Sequence, residues 1–147
     1  MAERLILSDS VFLDTAYAIA LASTTDEFHP QALVLAEELE ARGTRLVTTW
    51  AVLLEIGNAL ARVHYRRAAI KPLSSLRTDP SVEIIALSDQ IFDQALDLYS
   101  GRADKEWGLT DCVSFVVMQA RSIRDVLTAD EHFQQAGFRA LLREATA

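Results

Sequence analysis

The chain predicts an α/β protein, a three-layer α/β/α sandwich with a mainly parallel sheet, and three observations carry that reading. Short β-branched runs alternate with longer stretches of helical spacing from one end to the other, with no repeat, low-complexity tract or linker between them. Strands joined by helical crossovers run parallel, with helices over both faces. The 147 residues, 50% of them hydrophobic, suffice for one sizeable core and are too few for two ordinary domains, so 1–147 reads as a single domain. Finally, Trp107 to Met118, WGLTDCVSFVVM, runs from a loop into a helix that is apolar over most of its surface, and such a helix is buried.

Each element follows in order. Residues 1–10 are a polar lead-in around one apolar triplet, Leu5 to Leu7. Val11 to Asp14, VFLD, reads as a short strand ending on an acid, with the helix TAYAIALA behind it. Pro30 suits the first position of a long helix running to Arg42, with Gly43 as its terminator. Thr44 to Thr49 is a β-branched strand that passes without a visible turn into a helix from Trp50 to His64. In that helix Trp50, Leu53, Leu54, Gly57, Leu60 and Ala61 share one face, while Glu55, Asn58 and Arg62 share another. A shorter helix follows toward Asp79 and Pro80, with Arg66, Arg67 and Lys71 as a small basic cluster before Pro72. Val82 to Leu87 is a third strand, and Ser88 or Asp89 caps the helix after it. A charged loop holding Arg102, Asp104 and Lys105 delivers the chain to the central helix, where Thr110 is placed as N-cap and Asp111 as the first helical residue. At about 100° per residue, Asp111, Ser114, Met118 and Arg121 form the helix's one narrow polar stripe. Asp125 to Asp130 is a fourth strand, EHFQQAG a short helix closed by Gly137, and Phe138 to Leu142 a last edge strand.

Composition excludes several function classes. A single cysteine, Cys112, forms no intrachain disulfide, and no basic start joins an apolar stretch with a cleavage site, which makes cytoplasm the expected location. No apolar run approaches the roughly 20 residues of a membrane span. A formal charge of −7, from 21 acids against 14 Lys and Arg, argues against a broad electropositive surface for duplex DNA. It leaves room for a nucleic-acid enzyme in which a metal ion neutralises an acidic centre and a local basic rim positions phosphates.

Four acids stand at comparable places: Asp14 after the first strand, Glu55 on the helix after the second, Asp111 opening the central helix and Asp130 after the fourth strand. Each has an ordinary local use. Asp14 and Asp111 suit helix starts, and Glu55 suits a solvated helix face. In a parallel sheet, however, the strands' carboxyl ends share one edge with the helix starts, where open sheets bind their ligands. Carboxylates gathered there repel unless a cation compensates them, and oxygen-only ligation suits Mg²⁺ or Mn²⁺.

LDTAYAI, TTWAVLLEIGNAL, DKEWGLTDCVSFVVM and LTADEHFQQAGF together resemble the four acidic signature regions of PIN-domain nucleases, especially the VapC-type toxin ribonucleases, and span nearly the whole chain. The resemblance implies a PIN-like fold in which Asp14, Glu55, Asp111 and Asp130 are the catalytic and metal-site acids. It makes Asp104 a secondary candidate, and Thr15, Ser114 and Thr128 supporting hydroxyls. It implies hydrolysis of RNA phosphodiesters with one or two Mg²⁺ or Mn²⁺ ions, about 4 Å apart if two. Products then carry a 5′-phosphate and a 3′-hydroxyl. A cognate antitoxin and a homodimer are the implied partners.

On the cleft rim, Arg62, Arg102, Lys105, Arg121 and Arg124 are the candidate phosphate contacts. His29, His64 and His132 read as structural, and Cys112 as a small core residue. Other classes fit less well. A phosphoacceptor receiver domain needs a lysine after its last strand, where Glu131 and His132 stand, and an aspartyl phosphatase wants a second acid two residues after Asp14, where Ala16 stands. The remaining alternative is a PIN-like scaffold that binds protein and has no turnover.

Overall fold

Five short strands form one all-parallel sheet in the order β3-β2-β1-β4-β5. The computed structural model describes residues 8–145, so the triplet Leu5 to Leu7 lies outside the described residues. In chain order the elements are β1 (Ser10–Leu13), α1 (Thr15–Ala22), α2 (His29–Arg42), β2 (Arg45–Thr49), α3 (Trp50–Ala59), α4 (Val63–Thr78) and β3 (Val82–Ile85). There follow α5 (Asp89–Gly101), α6 (Leu109–Ala120), β4 (Asp125–Leu127), α7 (Glu131–Gln135), β5 (Arg139–Ala140) and α8 (Leu141–Glu144). With right-handed crossovers, α1 to α4 cover one face on the way out to β3, and α5 and α6 return over the other to β4. This is the predicted three-layer sandwich. The innermost strand β1 is the hub: Val11, Phe12 and Leu13 are buried, with Phe12 in register with both Val47 and Val126.

Several local signals hold as read. Gly43 ends α2 at φ 61°, the left-handed conformation that glycine adopts without strain, and Ser88 caps α5 by accepting from the Ile91 N–H at 3.2 Å. Other details differ. The helix after β2 ends at Ala59, and α4 begins at Val63 and carries straight through Pro72, although neither Gly nor Pro marks the break. On α3 the buried residues are Val52, Leu53 and Ile56, whereas Leu54 is 69% exposed. The predicted face is rotated because α3 packs against α1, α4 and α6 at once, and those neighbours choose among its many apolar residues.

The central helix starts earlier than predicted. Gly108 is its N-cap, and Asp111, at the third helical position, reaches back to accept the Gly108 N–H at 3.1 Å. Its supposed polar stripe is broken by Met118, which is fully buried. Behind α6, Phe115 meets Trp107, Phe133 and Phe138 at centroid distances of 5.1, 4.9 and 5.6 Å, a cluster that locks the start of α6 to α7. Strand β4 stops at Leu127, three residues short of the predicted end, and the predicted last strand is reduced to β5 followed by α8. Among the described residues no helix is long and apolar enough to cross a membrane.

Candidate active site at the carboxyl edge of the sheet

Leu13 and Leu127 are register partners at the ends of β1 and β4, so the residues that follow them, Asp14 and Thr128, emerge side by side. The fully buried Thr128 donates its hydroxyl to Asp14 Oδ2 at 2.8 Å, across 114 positions of chain. Asp14 does stand at the N-cap of α1, yet its side chain makes no capping bond. The local use of this acid is therefore not the one the fold makes of it. Thr48 on β2 donates to the Leu13 carbonyl at 2.8 Å and pins the same strand end. From α8, the Leu142 N–H holds the Thr128 carbonyl at 3.1 Å and Arg143 Nε holds that of Ala129 at 2.5 Å.

Glu55 is half-buried on α3, and Thr15 at the start of α1 donates to its Oε1 at 2.6 Å. Asp130 takes two bonds at the turn into α7: its N–H goes to Thr128 Oγ1 at 3.1 Å, and its Oδ1 accepts the His132 N–H at 2.9 Å. His132 then turns its Nδ1 toward the acids, 3.1 Å from Asp111 Oδ2 and 3.5 Å from Asp130 Oδ1. Asp111, Asp130 and His132 offer ligand atoms that lie within 4.8 Å of one another. Ser114, one turn along α6 from Asp111, is fully buried, and its Oγ has no hydrogen-bond partner among the described residues.

The electrostatics couple neighbouring acids in pairs. Burial pushes the Asp14 carboxyl up to about 7, opposed by the bonds from Thr128 and the Thr15 backbone and reinforced by the charges of Asp111 and Glu55. Asp111 is also raised, first by burial, with the Gly108 and His132 bonds acting against it and the charge of Asp130 adding to it. Asp14 thus feels Asp111 and Glu55, and Asp111 feels Asp130.

The PIN domain family model matches residues 11–139, which takes in all four acids. The chain belongs to the PIN domain family. Among its relatives is the protein "23S rRNA-specific endonuclease VapC20" from two strains of Mycobacterium tuberculosis, 27% identical over 128 residues that cover 87% of this chain and 95% of the relative. The crystal structure of Mycobacterium tuberculosis VapC20, described as a sarcin-ricin loop cleaving toxin, superposes with a TM-score of 0.77 at 26% identity. It covers 88% of this chain and 96% of that one.

In this PIN domain the structure sorts the remaining predicted site residues. Asp104 is 60% exposed on its loop, and Arg102 grips it through Nε and Nη2 at 3.0 and 3.1 Å, which lowers its carboxyl from the ordinary value. Its described contacts lead to Arg102 and to none of the four acids. Arg121 lies about 15 Å of helix rise beyond Asp111 and forms a bidentate pair with Glu83 on β3, at the amino edge of the sheet. Arg124 precedes β4 at that same edge, away from the acids. Arg62 is exposed at the break between α3 and α4. Lys105 stays in the loop before α6. His132, which the sequence reading takes as structural, instead turns its ring toward Asp111 and Asp130, and nothing local signals that direction. His29 is structural, its Nδ1 2.6 Å from the Ala20 carbonyl, and Cys112 is buried in the core.

The lone hydroxyl of Ser114 gives a sharp expectation. In protein freed of divalent ions, Ser114→Ala removes a buried group that bonds to nothing, so urea unfolding is expected to show unchanged or higher stability, by up to about 1 kcal/mol. Metal-supported RNA cleavage is expected to fall about 10- to 100-fold. A loss of more than about 1 kcal/mol would show that the hydroxyl already has a structural partner.

Proposed function

We propose that this PIN domain is a divalent-metal-dependent endoribonuclease that hydrolyses RNA phosphodiester bonds and serves as the toxin of a toxin–antitoxin pair. The observation that carries it is Asp14: a buried carboxyl whose affinity for its proton is raised by burial and by neighbouring carboxylates, held by Thr128 at the sheet edge. Such a group is compensated by a cation. The donor set fits a hard divalent ion, with Asp14, Glu55, Asp111 and Asp130 as oxygen donors and Ser114, one turn along α6 from Asp111, offering an Oγ with no partner among the described residues. Mg²⁺ or Mn²⁺ would be held by those four acids; His132, an imidazole, suits a role of orienting Asp111 and Asp130.

When bound, the ion supplies Lewis-acid chemistry: it activates water and offsets the charge that develops on the phosphate. The protein's own contribution is preorganisation. Thr128 fixes the rotation of Asp14, Thr15 that of Glu55, and the Gly108 N–H together with His132 that of Asp111. The carboxylates act as anchors and not as nucleophiles. Lys105, in the loop before α6, serves the phosphates flanking the cut, with Arg102, paired to Asp104, beside it in the same loop. Arg62, Arg121 and Arg124 are less well placed for that role.

A cognate antitoxin and a homodimer belong to the same proposal, supported by the likeness to VapC-type toxins. Since the relative from Mycobacterium tuberculosis is named for 23S rRNA and its crystal structure is described as that of a sarcin-ricin loop cleaving toxin, an RNA bearing that loop is the first substrate to try. The test is cleavage with Mg²⁺ or Mn²⁺ against EDTA, with the new ends analysed. Metal-dependent products bearing 5′-phosphates are expected. A chain that neither orders divalent ions nor cuts any RNA would instead be a scaffold.

A further inference from the structure

We infer that the loop before α6 and the end of α5 form a seat for one unpaired nucleobase, with Tyr99 as its stacking platform and Lys105 as the contact to the adjoining phosphate. The inference rests on the ribonuclease reading and adds to it a subsite. A cleft of about 600 Å³ is lined by Tyr99 and Ser100 of α5 and by Arg102, Lys105, Glu106, Trp107 and Gly108 of the loop, so that one carboxylate stands beside the two cations. Its size falls within the roughly 300–1,000 Å³ typical of small-ligand sites.

The lining has the chemistry of single-strand recognition. The Tyr99 ring is 50% exposed at the last turn of α5, although burying it would be favourable. Unpaired bases are seized by stacking on such rings, with cations tracking the backbone beside them. Lys105 makes no ion pair within 4 Å among the described residues, only a longer-range attraction to Asp104. Beside it the Arg102 guanidinium lies 5.1 Å over the Trp107 ring and pairs with Asp104, while Trp107 Nε1 donates to Gln135 Oε1 of α7 at 3.1 Å. The cleft is linked to one of the four acids, Asp111, through a single lining residue. Gly108, at its inner end, is the residue whose N–H holds Asp111 Oδ2. A base seated here belongs to a nucleotide next to the phosphate that is cut.

A protein partner is the competing use of Tyr99, because Phe92 and Leu96 continue the exposed apolar residues back along α5. Titration of a short single-stranded oligouridylate in EDTA, where nothing is cleaved, separates the two. Tyr99→Ala is expected to weaken binding on the order of tenfold with an unchanged salt slope, and Tyr99→Phe to restore it. Lys105→Gln should lower the slope of log affinity against log salt by about 0.7, the value for one phosphate of a single strand. Under turnover conditions the Tyr99→Ala loss should fall in KM and spare kcat. Phe92→Ala should bind the oligonucleotide as the parent does. If Tyr99→Ala binds and turns over RNA as the parent while the parent cleaves with metal, the base seat is overturned and the ribonuclease reading stands. If Tyr99→Ala instead changes only the sedimentation behaviour, α5 is a protein interface and the seat is likewise overturned. Oligouridylate bound through Tyr99 by a protein that cuts no RNA would keep the seat and sink the ribonuclease.

Discussion

Asp111→Asn is expected to lower RNA cleavage by at least about 100-fold while leaving the fold intact, because it deletes one anionic oxygen from the cluster and changes the volume hardly at all. The asparagine carbonyl can still accept the Gly108 N–H that starts α6, so the cap survives. The substitution also removes a charge that raises Asp14, and metal-free protein should melt at the same temperature or slightly higher. Activity and melting must be read together. Parental turnover in the mutant would remove Asp111 from the site, whereas lost activity with a lowered melting temperature would point to a damaged helix start.

In EDTA, the protein is expected to lose stability as the pH rises from about 4 to about 7, contrary to the usual behaviour of paired carboxylates. The sign follows from Asp14, whose carboxyl lies at about 7 in the folded chain against an ordinary 3.8. Between those values the native state keeps a proton that the unfolded chain has released, so raising the pH favours unfolding, and the contribution levels off above about 7. The gap amounts to about 4 kcal/mol at most. Asp79, Glu83 and Asp104, all lowered, act in the opposite direction. They are present equally in Asp14→Asn, so the difference between the two proteins isolates Asp14. Above pH 7 the variant should be the more stable of the pair without ions. Added Mg²⁺ or Mn²⁺ should raise the parent's melting temperature in a concentration-dependent way and erase that difference. Urea titrations across the pH series, with and without ion, make the measurement. A parent whose stability is flat or rises relative to Asp14→Asn would mean that Asp14 ionises without a burial penalty.

Periodicity and turn chemistry in the sequence were enough for the layered α/β architecture, because a short β-branched run, a Gly43 terminator or a Ser88 cap is decided by neighbours a few residues away. The same local logic located the strand-end acids. It could not choose between their two uses. For Asp14 the choice was made by Thr128, 114 positions later in the chain, which reaches the carboxylate only because β1 and β4 lie side by side. Local spacing set Asp111 and Arg121 on one stripe of a helix; in the fold, the length of α6 carries Arg121 to the far edge of the sheet and into the grip of Glu83. The face of α3 was decided by packing against three helices, since an apolar segment with several candidate faces takes the one its neighbours leave room for. His132 stayed hidden for a similar reason: a side chain's direction at a helix start depends on what waits across the cleft, and here that is Asp111, 21 residues upstream. Chain order thus specified which elements form and which residue types reach the sheet edge. Burial and long-range contacts, which set the protonation of Asp14 and the partners of every acid, came only with the tertiary structure, because desolvation and charge coupling depend on distance in space.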